Sequence, residues 1–86
     1  MDLYSRLGDQ LRVLFKDLFN PKRDEAVRRE MENILSLARE IGGAILNDAE
    51  LLNSDVMKFL ESPNNPKALS KMKAHALRLE QETREI

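Results

Sequence analysis

Residues 27–52 read VRREMENILSLAREIGGAILNDAELL, and their spacing decides the fold class. Val27, Met31, Ile34, Leu35, Ala38, Ile41, Gly42, Ile45, Ala49 and Leu52 recur at intervals of three and four. That interval keeps side chains on one stripe of a helix, whereas a strand alternates every second residue. No period-two stretch of β-branched residues and no hairpin signal occurs anywhere in the chain. Gly42-Gly43 lies inside the stripe, and each glycine weakens a helix by roughly 1 kcal/mol relative to alanine. The spacing crosses both without a phase slip, so it predicts one helix from about Asp24 to Leu52, with bending at the glycines.

That length creates a tension. At about 1.5 Å per residue the helix is roughly 43 Å long. A compact chain of 86 residues has a radius of gyration of about 12 Å, which as a sphere is about 31 Å across. Either the helix breaks near Gly42-Gly43, or something covers the overhang. A second copy of the chain is the simplest cover, since most oligomers are symmetric homo-oligomers. Ala38, Gly42, Ile45 and Ala49 then form the candidate interface, a stripe of mostly small residues that lets a crossing helix approach closely. The same stripe also suits packing against the first or last helix of the chain itself.

Outward from this segment the same period continues. Leu3, Leu7, Leu11, Leu14, Phe15 and Leu18 make the apolar face of a first helix, with Asp2 as N-cap. Asn20-Pro21 ends it, because a residue before proline is pushed out of the helical region. Proline also suits the first position of the next helix, so Asn20 is one candidate cap and Asp24 the other. Ser54 offers a cap for a short helix burying Val56, Phe59 and Leu60. Ser62-Pro63-Asn64-Asn65-Pro66 is the clearest turn. Asn65 caps a last helix along which Leu69, Met72, Ala76, Leu79, Thr83 and Ile86 recur.

The expected fold is therefore all-α, in a single domain spanning 1–86. It is a small antiparallel helical bundle of three main helices, near 2–19, 24–52 and 66–84, plus one short helix near 55–61, with dimerisation as the cover for the overhang. Short connections favour antiparallel neighbours. The expected core is Leu7, Leu11, Leu14, Phe15, Leu18, Ile34, Leu35, Ala38, Ile41, Ile45, Leu52, Phe59, Leu60, Leu69, Met72 and Leu79.

Composition narrows the function classes. Fourteen Lys and Arg stand against fifteen Asp and Glu, and charged residues make up 34% of the chain, which is a solvated surface rather than a polyelectrolyte. Hydrophobic residues make up 42%, enough for a core. The chain has no cysteine and one histidine, which removes disulfides, thiolate metal sites and multi-histidine sites within one chain. Asn53-Ser54-Asp55 is too short for an oxygen-rich cation loop. No apolar run approaches a membrane span, and residues 1–6 lack a secretory leader pattern, so the expected location is cytoplasmic. The first helix, with Arg6, Arg12 and Lys16 opposite its apolar face, has the look of a membrane-surface helix, but Asp2, Asp9 and Asp17 dilute its charge. It is also the best core-forming helix of the chain.

Basic residues cluster twice, at Lys22, Arg23, Arg28 and Arg29 and along Lys67, Lys71, Lys73 and Arg78. Such stripes can neutralise phosphates. Interspersed acids, among them Asp24, Glu25, Glu30, Glu80 and Glu82, keep the local field small, and i,i+4 pairs such as Glu25 with Arg29 and Glu80 with Arg84 account for the pattern. Between Met31 and Ser62 acids outnumber bases, which suits either packing of the flanks on the middle or a basic partner.

One short motif points to chemistry. Lys73-Ala74-His75-Ala76-Leu77-Arg78 resembles the phosphoacceptor helix of histidine phosphotransfer domains. The resemblance covers about five residues, and it implies His75 as phosphoacceptor, with Lys71 and Arg78 within one turn to hold phosphate. Leu79 stands where that family has glycine. No other residues form a catalytic set, a phosphate loop or a cofactor site. The expected function is thus a non-enzymatic helical protein–protein interaction or accessory module. Its partner is itself, as a homodimer, or another protein, and it needs no cofactor. The alternatives are a nucleic-acid-binding regulator using the basic faces and a phosphoacceptor through His75.

Overall fold

The computed structural model describes residues 2–18 and 20–84, and among them every regular element is helical. α1 runs Leu3–Leu18, a single 3-10 turn η1 covers Pro21–Arg23, α2 runs Asp24–Ile41, α3 Gly43–Glu61 and α4 Pro66–Arg84. Phe19 and Ile86, which the spacing assigns to the first and last helices, lie outside the described residues.

The starts follow the local chemistry. Asp2 caps α1, its Oδ1 accepting from the Ser5 N–H at 2.7 Å. Asn65 caps α4, accepting from the N–H groups of Lys67 at 3.0 Å and Ala68 at 3.4 Å, with Pro66 behind it at the first helical position. Asn20 caps the 3-10 turn, accepting from Lys22 at 3.1 Å. Asp24 is then the first residue of α2 rather than its cap, and Arg23 in the cap position makes no side-chain bond there.

The continuous helix from Asp24 to Leu52 is not formed. The chain breaks at Gly42, where φ is 77° and ψ is −168°, a combination that essentially only glycine adopts. The Gly42 N–H still reaches Ala38 O at 2.7 Å, closing α2, and Gly43 at φ 61° opens α3. The expected short helix 55–61 is the last stretch of α3, and Ser54 lies inside that helix instead of capping one. Among the described residues there are thus four α-helices of similar length, not three long and one short. The break resolves the length tension within the chain. The longest dimension is 35 Å and the radius of gyration 12.0 Å, so an unbroken helix of about 43 Å would project from it.

Helix pairs close into a cycle: α1 packs on α2, α2 on α3, α3 on α4 and α4 back on α1, while α2 and α4 do not meet among the described residues. Leu7, Leu11 and Leu14 of α1, Ile34 and Ala38 of α2, Leu52 and Val56 of α3 and Met72 and Leu79 of α4 are fully enclosed. Fully burying such a side chain contributes about 1.5–3 kcal/mol. Val27, Met31, Leu37, Ala49 and Ala76 join this core beyond the expected set. Phe15, Leu35, Ile41, Leu60 and Leu69, expected inside, are only partly buried and lie against its rim.

Candidate functional site

Three places depart from an ordinary helical core. The first is the seam between α3 and α4. His75 of α4 hydrogen-bonds through Nδ1 to Oδ2 of Asp55 on α3. The Asp55 side chain is nearly buried and the imidazole is half-buried. One turn further along α4, Arg78 Nε stands 3.7 Å from Asp48 Oδ2 and 3.7 Å from Glu82 Oε1. Asp48 is buried, and its Oδ2 has no partner at hydrogen-bond distance. Asp48 and Asp55 are seven residues apart, two turns of α3, so both turn toward α4. Lys71 and Arg78 flank His75 by a turn on either side as the sequence implies, and Leu79 is fully enclosed in the core.

The second place is a groove of about 220 Å³ between α1 and α4. Phe15 and Leu18 line it from α1, and Met72, Ala76 and Leu77 from α4, with Lys73 as the charged lining residue. Leu77 stands at its lip with 57% of its surface exposed. The groove exists because α4 carries only a narrow apolar seam, Met72, Ala76 and Leu79, so it cannot fully cover the Phe15 side of α1.

The third place is the buried carboxyl of Glu30 on α2. Glu30 is 9% exposed, and its Oε2 is buried without a hydrogen-bond partner. Burial and the neighbouring Asp17 push its carboxyl up to about 7. Arg23 Nε lies 3.5 Å from Asp17 Oδ1.

The stripe of small residues is enclosed by the chain itself. Ala38 and Ala49 are fully buried, Ile45 nearly so, and Gly42 half-exposed at the helix break. Of the basic clusters, Arg23 turns to Asp17 and Arg28 to the sulfur of Met57 at 3.4 Å. Lys58, Lys67 and Lys71 border a shallow concavity that Asp55 and Glu61 share. The expected pair of Glu80 with Arg84 is present at 2.5 Å. Among the described residues no helix is long and apolar enough to cross a membrane, and no three metal-ligating side chains converge.

Asp48, Asp55, Glu30 and Leu77 were not singled out by sequence reasoning. A signal existed for Glu30: Val27, Glu30, Ile34 and Leu37 follow the same three-four spacing, which places an acid on an apolar stripe. Compared with known proteins, the chain matches no family model, no curated protein and no solved structure.

Proposed function

We propose that this chain is a non-enzymatic interaction module, an antiparallel helical bundle that pairs with a second copy of itself across the α1–α4 groove. The observation that carries the reading is Leu77 beside the groove. A protruding apolar side chain next to an apolar recess is self-complementary: under a two-fold axis each Leu77 enters the other copy's recess between Phe15, Met72 and Ala76. Charge supports the same geometry. Lys73 and Glu80 are seven residues apart and lie on one edge of α4. An axis passing between Ala76 and Leu77 in an antiparallel α4–α4 contact sets each Lys73 opposite the partner copy's Glu80, which also holds Arg84 within its own chain.

Light scattering behind size exclusion tests this near micromolar and near millimolar concentration. The expected result is a dimer mass at the higher concentration and a monomer for Leu77→Glu, with unchanged helix content. A monomer at both concentrations for the unmodified chain overturns it.

A second reading has one observation in its favour. An Nδ1–H that donates to Asp55 leaves the imidazole lone pair on Nε2, on a helix that carries Lys71 and Arg78 within one turn of His75 in sequence. Such a nitrogen can attack the phosphorus of a phosphorylated donor protein, forming the N–P bond as the donor's bond to phosphorus breaks. Acid-labile phosphate that is lost in His75→Ala tests it, and no incorporation from any donor removes it.

A further inference from the structure

Only Gly42 separates α2, ending at Ile41, from α3, starting at Gly43. The backbone around it stays close to an unbroken helix. The Gly42 N–H donates to Ala38 O, and the Gly42 carbonyl accepts from the Leu46 N–H, the bonding pattern of an α-helix. The bonds absent from that pattern are those from Gly43, Ala44 and Ile45 back to Arg39, Glu40 and Ile41. The apolar stripe also runs on, since Ala38, Ile41, Ile45, Ala49 and Leu52 keep their spacing through the break. A straightened α2–α3 helix would therefore present one continuous apolar face.

The fold is symmetric about the break. Arg28 of α2 meets the sulfur of Met57 of α3 at 3.4 Å. Arg28 lies fourteen residues before Gly42, and Met57 fourteen residues after Gly43. The α2–α3 hairpin is thus centred on the Gly42–Gly43 bond. Two straight helices crossing antiparallel at that bond, around a two-fold axis, set each Arg28 beside the other copy's Met57 in the same register. Contacts within the α1–α2 and α3–α4 pairs are more extensive than those across α2–α3 and α4–α1. The chain therefore divides most readily into these two hairpins.

We propose that Gly42 is a hinge at which two copies of the chain exchange halves: α2 and α3 straighten into one helix, and the α3–α4 hairpin of each copy completes the bundle of the other. The α2–α3 and α4–α1 contacts then form between copies, while the Asp55–His75 bond stays within one chain. Each α1–α4 groove is rebuilt with Phe15 and Leu18 from one copy and Met72, Ala76 and Leu77 from the other. Straightening returns Gly42 and Gly43 from positive φ to helical values. A one-residue hinge has no slack, and short hinges of this kind promote exchange between copies. A dimer across the groove leaves each chain folded on itself, so the two readings fail independently.

Refolding from urea at millimolar concentration, followed by dilution to micromolar, tests the exchange. A dimer held by surface contact alone separates on dilution, whereas an exchanged pair must first unfold. The chain has no cysteine, so Glu25→Cys with Glu61→Cys places two spin labels at exposed positions near the Arg28–Met57 end. Mixing labelled chain with excess unlabelled chain before refolding restricts the signal to distances within one chain. In the closed hairpin both positions lie at one end of a molecule whose longest dimension is 35 Å. At about 1.5 Å per residue, the straight helix sets them about 54 Å apart. The expected result is a dimer that persists after dilution and carries the longer distance, both with Leu77 in place and in Leu77→Glu. Gly42→Ala, which removes the residue that permits the break, should raise the fraction of that dimer. Monomer alone from the chain with Gly42 in place overturns the proposal. So does a persistent dimer that shows only the short distance, or one that Leu77→Glu abolishes.

Discussion

His75 on α4 hydrogen-bonds through Nδ1 to the carboxylate of Asp55 on α3, twenty residues earlier in the chain. The contact ties together the two helices that flank the Ser62–Asn65 turn. It also gives a nearly buried carboxylate its partner.

Removing the imidazole should therefore cost more than a surface contact would. Hydrogen bonds to charged groups contribute about 1.5–3 kcal/mol, and an abandoned buried acceptor adds its own penalty. His75→Ala is expected to lower stability by about 1–3 kcal/mol, read from urea unfolding near neutral pH. A double-mutant cycle with Asp55→Ala should return a coupling of about 1 kcal/mol or more. Additive single effects would mean that the pair does not hold α4.

Leu11 and Leu77 are the same residue type in opposite settings, one fully enclosed and one 57% exposed. Leu11→Ala removes contacts from the centre of the core and should cost about 2–5 kcal/mol. Leu77→Ala should change monomer stability by no more than about 0.5 kcal/mol. If Leu77 serves contact between copies, its replacement should weaken association while the urea midpoint of the monomer stays in place. A large loss of monomer stability would make Leu77 a structural residue instead.

The two Asn-Pro starts separate a cap that supports a long helix from one that supports a single turn. Asn65 accepts from two N–H groups at the head of α4. Asn20 accepts from Lys22 alone, ahead of three residues of 3-10 helix. Asn65→Ala should cost about 1 kcal/mol and reduce amide protection in the first turn of α4. Asn20→Ala should cost less, because α2 starts four residues later, at Asp24, with its own first turn. Equal losses would show that η1 and α2 fold as one capped unit.

The apolar stripes were legible because a helix face is a local property. Leu7, Leu11, Leu14, Ile34 and Leu52 could be assigned to the core from their spacing alone. The break at Gly42 was not legible from spacing, since a one-residue interruption leaves both halves facing the same core and the period intact. Only the length of the helix against the size of the globule pointed to it. The site residues were legible in part. His75 was visible through its motif, but its partner was not, because Asp55 lies on another helix and helix pairing is not written in local spacing. Asp48 and Asp55 read as surface acids by residue type, and only their placement opposite α4 makes them buried. The α1–α4 groove depends on how narrow the seam of α4 is relative to α1, a relation between two helices that neither sequence carries alone.

Gly8 and Gly42 carry opposite signs, although both belong to stretches that the periodicity reads as helix. Gly8 sits inside α1, and a Cβ built there would lie 3.5 Å from Thr83 Oγ1, an ordinary contact. Alanine restricts the unfolded chain and favours the helix, so Gly8→Ala should stabilise by about 0.5–1 kcal/mol. At Gly42 a Cβ would meet nothing within 4 Å, so space is not what selects glycine there. The backbone is: with φ at 77° and ψ at −168°, an L side chain is strained whatever room surrounds it. Gly42→Ala should therefore destabilise by about 1–3 kcal/mol. It should also push the chain toward the unbroken α2–α3 helix that the spacing alone would build. That helix would pull Ala38 and Ala49 out of a common core and expose the stripe. Urea unfolding gives the sign, and light scattering of Gly42→Ala gives the consequence: a gain of dimer would follow from the exposed stripe. A Gly42→Ala chain as stable as the unmodified one would mean that the break does not depend on glycine at this position.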